Sequence, residues 1–398
     1  MNRDPRTLGF PRVGHRAQTR VVASPTERTR AQLDALSTTG LDTPTFVAAT
    51  LEVLHRAVPF AAACFATTDP ATRLVTSALK SGTMTTVTPE QDELWAFHEY
   101  VVEDVYDYRD LLDRPGGVTT THRETAGDPL RCSRYENFLH PLWGVTDELR
   151  TAVTADGSMW AFLALFRDTG DRAATFNAAE MEFVSTVSTP LARGVRAGLV
   201  TSLAGAAPVE EAGPGVIVVD DRGDVLSANP AAARRVAELG GPELGRGALP
   251  MPVQSVVKAA RRFAQGRQDW APRVRMRTTD GRWVVVSASP MTSFGPSAVP
   301  TFAVTIEDAG RSDVLPLLVE AFGLTAREQD VVRLVLRGVS TAEIATTLHL
   351  SAYTVQDHLK VVFDKVGVRS RRELTARVFV EEYAPKLGRA VGPSGSFA

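Results

Sequence analysis

A chain of 398 residues is long enough for several domains, each with a core of its own. With 44% hydrophobic and 23% charged residues it has an ordinary globular make-up, which excludes fibrous and low-complexity classes. Its formal net charge of −2 excludes a wholly basic nucleic-acid coat, so any grip on nucleic acid must come from a local patch.

The first thirty residues hold seven arginines against Asp4 and Glu27, with Pro, Thr and Ser between them. They lack the apolar core of a secretory signal, and residues 1–40 are expected to form a disordered basic arm. Cys64 and Cys132 are far apart and show no metal-ligand spacing, so a reducing compartment is the simpler reading. The longest apolar run, Met159 to Phe166, is too short to span a bilayer. The expected setting is therefore cytoplasmic, at the nucleoid, with no membrane partner.

Residues 43–203 read as a first sensor-like α+β domain. Phe46, Leu51, Leu54 and Val58 recur at helical spacing, Ala61–Phe65 and Met159–Arg167 read as buried strands, and Ala178–Val200 reads as a closing helix. Glu90 to Asp113 carries nine carboxylates and one arginine. Like charges at Glu99, Glu103 and Asp107 are expected on a solvated helix face, and no calcium-loop spacing is present. His55, His98, His122 and His140 stand alone, without a haem-attachment motif. No metal and no cofactor is expected. Arg131 and Arg134 beside Cys132 can favour a thiolate, whereas Cys64 sits in an apolar strand.

A Gly/Ala/Pro/Glu linker, residues 204–214, leads to a second domain, 215–310. Here Asp220-Asp-Arg-Gly-Asp224 supplies a turn between two strands, and Pro230 opens a helix to Leu239. Trp270–Met276, Arg282–Ser289 and Thr301–Ile306 read as an antiparallel meander. The run 311–323 is expected to be a coupling helix, and 386–398 a disordered tail.

The last domain, residues 324–382, carries the most information. Three capping boxes (Thr325 with Glu328, Ser340 with Glu343, Ser370 with Glu373) and a fourth N-cap, Ser351, mark helix starts. Gly338 and Gly367 sit where helices should end. This predicts four short helices, 326–337, 341–348, 352–366 and 371–380. The turn His349-Leu350-Ser351 is so short that it forces the sharp angle of a helix-turn-helix.

The third of these helices separates into two faces. Val355, Leu359, Val362, Phe363 and Val366 form the apolar one; Tyr353, Gln356, Asp357, Lys360 and Asp364 form the other. Gln356 can bond adenine bidentately, Lys360 can reach a guanine or a phosphate, and Asp357 can accept from a cytosine amino group. Ser351 and Thr354, at the helix N-terminus, can hold a phosphate, and Arg369, Arg371 and Arg372 add backbone attraction. Between Thr325 and Phe379 nine Lys/Arg stand against six Asp/Glu, a surplus of three. So small a surplus implies that useful affinity needs a homodimer.

The string from Leu324 to Gly367 (Leu-Thr-Ala-Arg-Glu-Gln-Asp-Val-Val-Arg at its start, Ala-Tyr-Thr-Val-Gln-Asp-His-Leu-Lys near its end) closely resembles the LuxR-type helix-turn-helix. That resemblance implies a third helix lying in the major groove of double-stranded DNA, with Gln356, Asp357 and Lys360 at the bases. Gln356 stands where many members of the family carry Lys, which keeps base-reading capacity and removes a charge. Gly215-Val-Ile-Val-Val-Asp-Asp-Arg-Gly-Asp-Val-Leu-Ser-Ala-Asn-Pro-Ala-Ala232 looks like the opening of a PAS-type sensor. Leu142-Trp-Gly-Val-Thr-Asp-Glu-Leu-Arg150, Asp156–Arg167 and Phe176–Phe183 are similar to GAF domains of actinobacterial regulators.

The expected fold is multidomain: two α+β sensors, GAF-like then PAS-like, and an all-α helix-turn-helix. The expected function is a one-component transcription regulator with RNA polymerase and a small-molecule effector among its partners, the effector's pocket being unassigned. The alternative is a signalling adaptor acting through protein contacts of its sensors. No nucleophile elbow, phosphate-cradling loop or zinc-protease motif is present, so an enzyme is not expected.

Overall fold

The computed structural model describes residues 24–201, 213–292 and 299–376. Residues 1–23 of the expected arm, most of the linker and everything after Ala376, including the expected tail, lie outside the described residues.

The expected arm gives way to structure at Ser24. Its hydroxyl accepts from Glu27 N and the Glu27 carboxylate accepts from Ser24 N, a capping box that starts helix α1, Pro25–Leu36. Thr29 and Leu33 are buried, so the reading of residues 1–40 as disordered fails over this helix. Its charged residues lie on the outer face, and two buried positions one turn apart suffice to dock it.

Helix α2 (Thr43–His55) follows, then strands β1 (Ala62–Thr68) and β2 (Val75–Gly82). The segment between β2 and β5 holds the short pieces α3 (Pro89–Ala96), β3 (Val118–Thr120), α4 (Thr121–Glu124) and α5 (His140–Trp143), then β4 (Val145–Ala155). Strand β5 (Ser158–Asp168) and helix α6 (Ala178–Thr201) complete the domain. The antiparallel sheet has the order β2-β1-β5-β4-β3. Leu149, Val153, Leu163 and Leu165 pack on one face of it with Phe46, Leu54, Val187 and Leu191 of the long helices.

The opposite face departs from expectation. Of the three like charges, Glu103 is exposed as expected, but Glu99 and Asp107, together with Asp104, turn inward to meet charges from β4 and beyond. Arg150 donates to Glu99 (2.8 Å) and to Glu148 (2.7 Å). Arg134 pairs with Glu148 (3.0 Å) and Asp104 (3.3 Å), and the Tyr106 hydroxyl donates to Glu148 at 3.1 Å. Asp107 is held by Arg109 (2.9 Å) and by Lys258 (3.0 Å) from the second domain. Four carboxylates thus face four cations, which is how so many charges can be buried together. Burial raises the Glu148 carboxyl, but the two guanidiniums outweigh it and hold it below the usual range.

The second domain comprises β6 (Gly215–Asp220), β7 (Val225–Ala228), α7 (Pro230–Glu238), α8 (Met251–Ala264), β8 (Arg273–Arg277), β9 (Trp283–Met291) and β10 (Thr301–Asp308). Its sheet order, β7-β6-β10-β9-β8, repeats that of the first. Phe302, Val304 and Ile306 alternate inward along β10 and pack with Val253, Val256 and Val257 of α8.

Leu74, from the first domain, is fully buried in the second domain's core. The Asp69 carboxylate beside it accepts from Arg275 Nε (2.8 Å) and Nη2 (2.6 Å). Helix α9 (Arg311–Ala321), the expected coupling element, sends Leu317 and Ala321 into the first domain's core, and Arg196 of α6 donates to Ala321 O at 3.0 Å. Among the described residues no helix is long and apolar enough to cross a membrane.

Candidate nucleic-acid interface

The C-terminal block is built from its caps. Helix α10 (Ala326–Leu336) starts at Thr325 and helix α11 (Thr341–Thr347) at Ser340, both through complete capping boxes with Glu328 and Glu343. Helix α12 (Ala352–Val366) starts at Ser351, whose hydroxyl accepts from Thr354 N at 3.0 Å. A further helical turn begins at Arg371 and continues to the last described residue. Its Glu373 carboxylate accepts from Arg369 N (2.8 Å), one residue earlier than the expected box, while the Ser370 hydroxyl accepts from Glu373 N.

Gly338 and Gly367 both take the left-handed conformation expected of them, with φ of 78° and 72°. In the tight turn that role falls to His349, a non-glycine residue at φ 53°. Leu350 N donates to Ala345 O (2.9 Å) across the turn, and Arg327 of α10 donates to Leu348 O (2.7 Å), closing the end of α11. Val331, Val335, Ile344, Val355, Leu359, Val362 and Leu374 form the core that sets the three helices against one another.

With that apolar face inside, the opposite face of α12 is outside. Tyr353 is 78% exposed, and Gln356, Asp357 and Lys360 are exposed with it. Gln356, Asp357 and Lys360 make no side-chain hydrogen bond or ion pair among the described residues. At 1.5 Å rise per residue, Tyr353 to Lys360 spans roughly 10 Å, about three base pairs of duplex. Ser351 and Thr354 share a hydroxyl contact at 2.8 Å at the helix start. Arg369 and Arg372 are exposed beyond the helix end. Arg371 differs: its guanidinium donates to Val339 O (2.5 Å) and Thr341 Oγ1 (3.2 Å), fastening the last helix to the start of α11.

Two fastenings escaped the sequence reading because they join residues far apart in the chain. Lys365, on the back of α12, donates to Glu328 (2.6 Å) and to Gly323 O (3.1 Å), locking α12 onto the N-terminus of α10. Burial raises the Glu328 carboxyl, but Lys365 and the Thr325 N–H prevail and hold it below its usual value. The Arg327 cap is the second.

Residues 323–378 match the family described as "Bacterial regulatory proteins, luxR family". The chain is similar to an HTH-type transcriptional regulator of Mycobacterium bovis, 51% identical over 51 residues, which is 13% of this chain and 6% of that protein. It is 34% identical over 85 residues to the monoamine regulon transcriptional regulator of Klebsiella aerogenes, covering 21% of this chain and 35% of the relative. The chain therefore matches only about a third or less of the length of these relatives. Among solved structures, a Vibrio cholera VqmA–ligand–DNA complex is 18% identical at a TM-score of 0.23, covering 42% of this chain and 82% of that one. A likeness that low carries no weight for function or assembly. Residues 323–378 of this chain are a helix-turn-helix domain of the LuxR type.

Proposed function

We propose that the protein is a one-component transcription regulator that binds double-stranded DNA by sequence, as a homodimer, under the control of its two upstream domains. The observation that carries this reading is the exposed polar face of α12 on a LuxR-type domain. Gln356, Asp357 and Lys360 address base edges in the major groove, with Tyr353 beside them. Ser351, Thr354 and the helix N-terminus take a phosphate, and Arg369 and Arg372 take others. Arg371 serves chiefly as a fastening and approaches DNA only through its position.

The upstream domains are read as GAF-like and PAS-like sensors. Their shared strand order, with helices over one face, supports that reading. Helix α9, seated in the first core and leading directly into α10, is the element through which sensor state biases the reading head. A small-molecule effector and RNA polymerase complete the expected set of partners.

The test is a selection of genomic fragments on the intact protein. A shared, roughly palindromic motif is expected, lost in the double variant Gln356→Ala with Lys360→Ala while the melting transition stays in place. Uniform binding without a motif, from both the intact chain and the segment from Val314 onward, would leave the adaptor reading in its place.

A further inference from the structure

A cleft of about 780 Å³ opens between the two upstream domains. That volume falls in the range of roughly 300–1,000 Å³ typical of small-molecule sites. Its walls come from both domains and from α9: Trp160 and Leu199 on one side, Met251, Arg277 and Trp283 on the other, and Leu317 of α9. Most of this surface is apolar, but three donors in it are orphaned. Trp160 Nε1, Trp283 Nε1 and Arg277 Nη1 are buried and have no hydrogen-bond partner among the described residues. A buried donor without a partner is destabilising, and the residues carrying these three line one cleft.

Arg277 is the sharpest of the three. Its Nε and Nη2 both donate to Gly281 O, at 2.9 and 2.6 Å, which fixes the plane of the guanidinium and leaves Nη1 over. No carboxylate neutralises it among the described residues, and burial alone pushes it below its usual pKa. Its neighbours are treated differently: Arg275 is paired with Asp69, and Arg282 with Asp280, Asp308 and Glu238. One half-buried cation on this strand thus has no counter-ion among the described residues, and it borders the cleft.

We propose that the cleft binds a small organic carboxylate with an apolar body lying against Trp160, Met251 and Leu199, and that small shifts of the Arg277 and Trp283 side chains, whose orphaned N–H groups are covered in this structure, bring those donors onto its oxygens. Among the described residues Arg277 is the lining guanidinium that no carboxylate pairs, and a monoanion supplies that counter-charge. The occupant would also touch Leu317, on the helix that leads to the helix-turn-helix. The site goes beyond the DNA-reading proposal and does not depend on it, since binding is read without DNA.

Titration calorimetry on the intact protein tests it with benzoate, octanoate and naphthalene-2-carboxylate, each beside its primary amide. At least one acid is expected to bind one site per chain more tightly than about 1 mM, with its amide about tenfold or more weaker. Arg277→Gln should erase the difference between acid and amide, and Trp283→Phe, which keeps an aromatic ring and removes the N–H, should weaken the acid severalfold. Trp283→Phe carries the test if Arg277→Gln does not fold. The proposal is overturned if none of the three acids binds, if amide and acid bind alike, or if the folded variants bind as the unaltered protein does.

Discussion

At the scale of single residues, the two cysteines illustrate how burial decides chemistry. Cys132 has Arg131 and Arg134 for neighbours in sequence, a setting that favours a thiolate. In the fold it is fully buried, its thiol points to Asp104 (3.3 Å), and burial pushes its pKa up to about 11. Arg134 spends its charge on Glu148 and Asp104 instead. Cys64, inside β1, is pushed up to about 12, again by burial. Both thiols should therefore stay unreactive toward Ellman's reagent at pH 8 in the native protein and titrate together on unfolding. Rapid release of one equivalent before unfolding would contradict this. A surface reading of flanking arginines was open to the sequence; the tertiary carboxylates that claim them were not.

At the scale of elements, the C-terminal helices were legible because their signals are local. A capping box spans four residues and a left-handed glycine one, so the starts of α10, α11 and α12 and the ends at Gly338 and Gly367 could be read directly. Gly367→Ala should cost about 1–2 kcal/mol, the penalty of a side chain in left-handed geometry, seen as faster amide exchange across α12 with α6 unaffected. Unchanged exchange would mean the turn reshapes freely. Strand β4 was not legible for the opposite reason. Asp147, Glu148 and Arg150 interrupt its apolar pattern, and only their long-range partners make them suited to an interior. Helix α1 was hidden by composition: arginines dominate the segment, while its docking rests on Thr29 and Leu33. On α12 the division of faces was read correctly, but Lys365 and Arg371 reach partners that lie some thirty residues away in sequence.

At the scale of the whole molecule, three ion pairs join the upstream domains among the described residues: Arg267 meets the exposed Glu103, and the other two begin in the first domain's interior. Lys258 of α8 reaches Asp107 at the edge of the buried ion network, and Arg275 closes over Asp69 beside the inserted Leu74. Arg134→Met strips Glu148 and Asp104 of a partner and should cost about 3–5 kcal/mol, read as lost exchange protection in β4 and β5. A change below about 1 kcal/mol would show that the network contributes little to holding that face. Because α9 is seated in the same domain's core, loosening it should also alter the presentation of the helix-turn-helix.

Fluorescence anisotropy shows whether α12 reads bases. Intact protein and the Gln356→Ala variant would be titrated onto a selected operator and a scrambled duplex at two salt concentrations. Gln356→Ala should weaken operator binding by about 1–3 kcal/mol, leave scrambled binding unchanged and keep the salt slope, because a neutral base contact is lost and no phosphate contact is. Equal weakening on both duplexes, or none on either, would contradict a base-reading α12.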